Sequence, residues 1–363
     1  MKHKHKLILI IGVGLTSLTV LLAILLFTIF CCRKRKSENG CRDVDTDRES
    51  AFESEDEDEF VAFVNHEDFI KFGGGEDLSV EEILDAPGEV IGKCSYGTLY
   101  RASLVNSDSV ALLRFLRPSC TLRIKDVMPI VEILGCLRHP NLVPLNAFYR
   151  GPRGEKLMVH PFFGSGNLAH FIKDGAGEVN RWHVIHKISV GIAEGVCHLH
   201  SAREKPIIHG NLKSKNVLLD RHQHPYVSDF GLYLLLNPTA GQQMLEDSAS
   251  QGYKAPELIK MKDANKESDI YSLGIILLEL LCGKSPIDQD LHLPTALSVA
   301  VLDGRVMDLY RPDILVGLSN DQRAVMEDRI LQFFHLAMAC CSPSPRLRPD
   351  IDQILEKLQE IGK

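Results

Sequence analysis

The order of two hydrophobic patterns constrains the fold of this chain more than any other feature. From Val90 to Arg117, short apolar or alternating runs are broken by Gly, Ser, Asn and Asp, the pattern of antiparallel strands. Residues 126–138 then carry apolar side chains at helical spacing: Val127, Ile130, Val131, Leu134 and Leu137. Beyond residue 165 long helical stretches dominate, among them 181–200, 266–282 and 324–341. A strand-rich part followed by a helix-rich part predicts an α+β architecture with two segregated lobes. With 363 residues, 45% apolar and 25% charged, the chain can build a core in each. No internal repeat is visible, which excludes a solenoid. A net charge of −7 argues against nucleic acid as a partner. The ten cysteines include no C-x-x-C pair, so they read as reduced thiols rather than as metal ligands or a disulfide framework.

Ahead of that body, Leu7 to Phe30 is a 24-residue run without a charge. As a helix it would be about 36 Å long, enough to cross a hydrocarbon core of about 30 Å. It exceeds the roughly 7–15 residues of a signal-peptide core, and no small-x-small cleavage site follows. It ends on Cys31-Cys32-Arg33-Lys34-Arg35-Lys36. One transmembrane helix is therefore expected over 7–30, after a tail of residues 1–6. Four basic residues after the run, against Lys2, Lys4 and Lys6 before it, favour a cytoplasmic C-terminal part. The absence of an N-x-S/T sequon with x other than Pro agrees. Cys31 and Cys32 stand where S-acylation occurs; the alternative is two plain interfacial thiols.

Residues 31–76 read as a basic juxtamembrane segment and an acidic linker. Between Asp43 and Glu59 there are ten carboxylates and one arginine, a run that cannot bury apolar surface. The basic cluster can lie on anionic lipid while the acidic block is pushed away. Ser50 and Ser54 suit an acidophilic kinase; the plainer reading is a solvated spacer. Gly73-Gly74-Gly75 is expected to be a flexible joint before a folded body over 77–363.

Within that body, several landmarks follow in order: Gly92-Lys93-Cys94-Ser95-Tyr96-Gly97-Thr98-Leu99, Val110-Ala111-Leu112-Leu113-Arg114, and His139-Pro140-Asn141. Next come His209-Gly210-Asn211-Leu212-Lys213-Ser214-Lys215-Asn216, Asp229-Phe230-Gly231, Ala255-Pro256-Glu257, Asp269 and Arg348. In this order they resemble the protein kinase family over about residues 88–363. The resemblance is to the plant receptor-like kinases related to Pelle and the interleukin-receptor-associated kinases. Among these it is similar to the leucine-rich-repeat type whose catalytic loop reads H-G-N.

The resemblance implies a bilobal kinase fold, with a small antiparallel sheet lobe carrying one helix and a large helical lobe. It implies a phosphate-covering loop at Gly92 and Gly97, with Cys94 in place of its second glycine. Leu99, Ala111 and Leu218 would contact adenine. Leu113 falls at the place of the lysine that pairs with the α- and β-phosphates. Strand alternation would put Ala111 and Leu113 on the nucleotide face and Arg114 in solvent. Glu132 would be the partner of the missing lysine, now taking another cation or turning outward. Asn211 stands where the family has its aspartate base, and an amide takes no proton from a hydroxyl at neutral pH. Gly210 replaces the arginine that reads a phosphorylated activation loop, leaving Ser248 and Ser250 as candidate modification sites. Lys213 is retained for the γ-phosphate. Asn216 and Asp229 would hold Mg²⁺, or keep only a structural hydrogen-bonding role. Asp269 would brace the catalytic loop, Arg348 would pair with Glu257, and Cys136, His209 and Phe230 would join the lobes.

Together these imply weakened binding of ATP and Mg²⁺ and no turnover. The expected role is a membrane-anchored scaffold or allosteric partner of an active receptor-like kinase. A weakly active serine/threonine kinase using Lys93 as substitute cation is the alternative, as is an ATP-sensing module without turnover. Only six residues precede the apolar run. No sensing ectodomain is therefore expected on this chain, through a natural short form or a truncated gene model.

Overall fold

The computed structural model describes residues 68–363, apart from 106–107, 175–180, 202–204, 262, 289–290 and 306–307. The expected membrane helix, basic cluster and acidic block lie outside the described residues. Among the described residues no helix is long and apolar enough to cross a membrane.

Six strands are β1 (Phe69–Lys71), β2 (Gly88–Cys94), β3 (Gly97–Leu104), β4 (Ser109–Leu116), β5 (Ala147–Arg150) and β6 (Lys156–Pro161). They pair antiparallel in the order β1-β5-β6-β4-β3-β2. Each face of the sheet is covered. A short helix, α1 (Val80–Asp85), supplies Val80 and Ile83 to a cluster with Ala102, Leu104, Leu113 and Val159. Ser79 caps it by accepting from Glu82 N–H. On the other face α2 (Ile124–Cys136) buries Val127, Val131 and Leu134 against Leu116 and Phe148.

β1 lies ahead of Gly73–Gly75, so the folded body begins earlier than residue 77. The triglycine is not a free joint. Phe72 N–H donates to Asn146 O, and a Cβ on Gly75 would stand 2.1 Å from that same oxygen.

The large lobe is built on helices α3 (Leu168–Asp174), α4 (Arg181–Ser201), α5 (Leu232–Leu235), α6 (Pro238–Ser250) and α7 (Lys266–Cys282). A hairpin of β7 (Val217–Leu219) and β8 (Pro225–Val227) precedes α5. After α7 come β9 (Ile287–Asp288), β10 (Leu291–His292), α8 (Leu293–Leu302), α9 (Asn320–Cys340) and α10 (Ile351–Gly362). α7 is buried on all sides from Ser268 to Cys282, and most of those residues are apolar. A capping box of Asn265 and Ser268 starts it, and Gly283 at φ 68° stops it.

Candidate functional site

The register of β4 decides the site. Side chains alternate along a strand. Ala111 and Leu113 pack outward among Ala102, Leu104 and Ile83, whereas Leu116 packs inward under α2. Arg114 shares the face of Leu116. It lies opposite Leu99 on β3 and Met158 on β6. Its guanidinium Nη2 donates to Asp229 Oδ1 at 2.5 Å, with the side chains 9% and 13% exposed. Two expectations are thereby corrected. Arg114 does not face solvent, and Ala111 and Leu113 do not face the cleft. Lys93, the candidate substitute cation, is exposed on β2; the cation paired with Asp229 is Arg114.

Burial opposes the charge on Arg114, but the Asp229 carboxylate, Tyr96 and Cys94 together hold the guanidinium above its ordinary range. Tyr96 turns under the sheet into the core of Leu116 and Val131 and is only 6% exposed. Burial and the Asp229 carboxylate push its phenol up. His160 donates from Nδ1 to Pro144 O at 2.9 Å, and burial pushes it down to about 4, so it stands neutral. Arg114, His160, Asp229 and Phe230 line a cavity of about 10 Å³. That is room for about one water. Asp229 itself holds φ 64°, uncommon for a residue with a side chain. Gly231 follows at φ 71°, where a Cβ would stand 2.3 Å from Leu134.

That contact makes Leu134, not Cys136, the α2 residue that meets the Asp229–Gly231 turn; Cys136 is exposed. Glu132 is exposed too, taking the outward position. One turn before Leu134 on the same face stands Ile130, so α2 offers Arg114 no carboxylate.

Asp269 braces the catalytic loop. Its Oδ2 accepts from His209 N–H at 2.8 Å and its Oδ1 from Gly210 N–H at 2.9 Å, while His200 Nε2 lies 3.0 Å away. Asn211 is 4% exposed, and its carboxamide oxygen has no hydrogen-bond partner among the described residues. Asn216 Nδ2 donates to Asn211 O at 2.9 Å, and Asn216 O accepts from Ser228 N–H. Lys213 is half-buried; burial lowers it and the Asp229 carboxylate works against that shift. His209 is fully buried, which lowers it as well.

Gly97 opens β3 where a Cβ would stand 2.4 Å from Phe115 O, so the close approach of the loop needs glycine. Gly92 faces Leu99 across the β2–β3 pair. Leu218 sits half-buried on β7. Arg348 donates from both terminal nitrogens to Glu257, each at 2.7 Å. Ser248 is buried, so of the two candidate modification sites only Ser250 is exposed. Sequence reasoning overlooked Tyr96, His160 and Leu134. A buried stripe through Leu134 was the available signal for the last; nothing in the sequence marks the first two.

A protein kinase domain is matched over residues 86–358. The kinase-like protein TMKL1 of Arabidopsis thaliana is 38% identical over 358 residues, covering 96% of this chain and 51% of that protein. The chain thus spans about half the length of this relative. Among solved structures, the maize SIRK1 (sucrose-induced receptor kinase 1) kinase domain bound to AMP-PNP aligns with a TM-score of 0.72 at 28% identity. It covers 82% of this chain and 100% of that one. The pseudokinase domain of BIR2, an immune regulator of the RLK/Pelle family, aligns with a TM-score of 0.63 at 27% identity, covering 75% and 80%. On these matches and on the site just described, the chain belongs to the protein kinase domain family, with plant receptor-like kinases and pseudokinases among its relatives.

Proposed function

We propose that this is a non-catalytic kinase-like domain, tethered to the membrane by residues 7–30 and facing the cytoplasm. It serves as scaffold or allosteric partner for an active receptor-like kinase. The observation that carries this reading is the Arg114–Asp229 pair, together with Asn211 at the base position. A kinase supplies mostly positioning and charge stabilisation around Mg²⁺ and the phosphates. Here the acid that would hold the metal is spent on an internal cation, Tyr96 fills space beneath the loop, and no carboxylate stands at the base position. The general base alone is worth roughly 10²–10⁴-fold. As arranged, the residues do not fit a metal–nucleotide, because its binding requires the buried pair to open.

The test is incorporation of labelled phosphate by the full chain with ATP and Mg²⁺ or Mn²⁺, against an Asp229→Ala control. Equal, background-level signal is expected. Turnover that disappears in the control would overturn the reading. A melting curve with millimolar ATP, with and without Mg²⁺, should be unmoved. A stabilisation that grows with ATP, as mass action requires of any ligand of the folded state, would assign the domain to nucleotide sensing instead.

A further inference from the structure

One end of the small-lobe sheet gathers positive charge. The β2–β3 turn, the end of β4 and the β5–β6 turn all lie there, since Gly97 and Lys156 both pair with Leu116. Lys156 Nζ donates to Thr121 Oγ1 at 2.7 Å and to Gly154 O at 3.1 Å, which ties the β5–β6 turn to the segment leading into α2. Five exposed cations stand on this rim. They are Lys93 on β2, Arg117 after β4, Arg123 and Lys125 at the start of α2, and Arg153 in the β5–β6 turn. The side chains of Lys93, Lys125 and Arg153 make no hydrogen bond or ion pair among the described residues. Two carboxylates share the rim. Asp126 pairs with Arg123 at 3.3 Å, and Glu155 Oε2 accepts from the backbone N–H of Arg153. Exposed acidic side chains stand at the opposite end of the sheet: Asp85 before β2, Glu89 on it and Asp108 between β3 and β4. A chain of net charge −7 thus holds a local excess of cations along one edge.

Two features select the partner. The cations are spread out rather than convergent. From β5 to β2 the sheet end spans four strand spacings, about 19 Å at about 4.8 Å each. A single small anion meets one or two of them, whereas an extended anionic surface meets them all. The chain also enters the fold here. Phe69 pairs with Tyr149, which puts Asp68 beside Arg150, and Arg150 Nε donates to Asp68 Oδ1 at 2.6 Å. The segment that runs back toward the expected membrane helix therefore leaves from the cationic rim.

We propose that the rim of Lys93, Arg117, Arg123, Lys125 and Arg153 docks the small lobe on an anionic phospholipid surface. Each Lys or Arg brought to such a surface favours the bound state about fivefold. The proposal rests on the reading of the domain as membrane-tethered and is independent of the state of the nucleotide cleft.

To test it, the full chain is reconstituted with vesicles of phosphatidylcholine, alone or mixed with phosphatidylserine. Its lysines are acetylated with a membrane-impermeant succinimidyl ester, and mass spectrometry reads each site. Lys93 and Lys125 are expected to react about fivefold more slowly, or slower still, on the phosphatidylserine vesicles, with the difference lost at high salt. Lys260 and Lys363, exposed on the large lobe, should react alike on both. Arg153→Glu should return Lys93 and Lys125 toward the phosphatidylcholine rate, while Arg153→Lys should not. Arg153 is exposed, so both variants should fold, which an unchanged melting temperature verifies. Retention of the chain through alkaline carbonate reports on the anchor separately, and the lysine rates are read whether or not the anchor holds. Equal rates on the two vesicles, or charge reversal without effect, would overturn the proposal. So would rates that rise on both vesicles once the carboxylates from Asp43 to Glu59 are replaced by amides, which would assign the rim to that acidic block.

Discussion

Arg348→Ala is expected to lower the unfolding free energy by about 3–5 kcal/mol, the cost of leaving one member of a buried ion pair alone. The Arg348 side chain is 1% exposed and that of Glu257 11%. The two meet through parallel bonds of 2.7 Å each. The same guanidinium also donates to the backbone oxygens of Glu267 and Ser342 and lies 5.0 Å from the centre of the Tyr271 ring. Its loss therefore strands a carboxylate and two carbonyls at once. Lysine is no substitute, since it cannot reproduce the planar fork that grips both carboxylate oxygens. Arg348→Lys should recover less than half of the loss. Combining Arg348→Met with Glu257→Leu should recover much more, because no buried charge then lacks a partner. Urea denaturation of the four proteins measures all of this. A loss under about 1 kcal/mol for Arg348→Ala, the value of an exposed pair, would mean that Glu257 finds water or another cation.

The contrast between this pair and the Arg114–Asp229 pair shows how far the sequence could be read. Glu257 and Arg348 sit in strings, Ala-Pro-Glu and Pro-Arg-Leu-Arg-Pro, that admit one alignment. The two-lobed fold was legible for a related reason. Strand and helix periods differ, and they change over once along the chain. Arg114 lies in a strand whose neighbours are nearly all apolar, Val110-Ala111-Leu112-Leu113. In such a strand alternation defines two faces without saying which meets the cleft, and matching Val-Ala to the kinase string shifts the choice by one residue. The register of β4 against Leu99 resolves it, and that register is a tertiary fact.

Glu132 differs again. The stripe of Val127, Ile130, Val131, Leu134 and Leu137 was visible from the start, and both Glu132 and Cys136 fall outside it. Periodicity alone could have placed them in solvent, had it outweighed spacing to the His139-Pro140-Asn141 landmark. The closing of Tyr96 beneath the sheet had no such signal. A tyrosine in a glycine-rich loop can stand in solvent or fold under, and only the packing partners decide.

Glu279 is the residue whose chemistry was least legible, and it carries the second large prediction. It lies in an apolar run of α7, without a cation among its hydrogen-bond partners. Burial raises its carboxyl to about 8, while the bonds from Tyr253 and Ser214 work in the opposite direction. The folded pKa thus stands above the unfolded one of 4.5. Between the two, the folded chain binds a proton that the unfolded chain has lost. The contribution is complete below pH 4.5 and is lost as pH rises toward and through about 8. The wild-type chain should accordingly lose stability across that interval, with a slope approaching about 1.4 kcal/mol per pH unit. Glu279→Gln keeps an acceptor for Tyr253 and cannot ionise, so its profile should lack this slope. The difference between the two profiles isolates Glu279 from His160, which is held neutral by burial and costs stability as pH falls from 6.5 toward about 4, equally in both proteins. Chemical denaturation of both proteins at half-unit steps from pH 5 to 9 gives the result. Parallel profiles would mean that Glu279 ionises in the fold as it does in the unfolded chain.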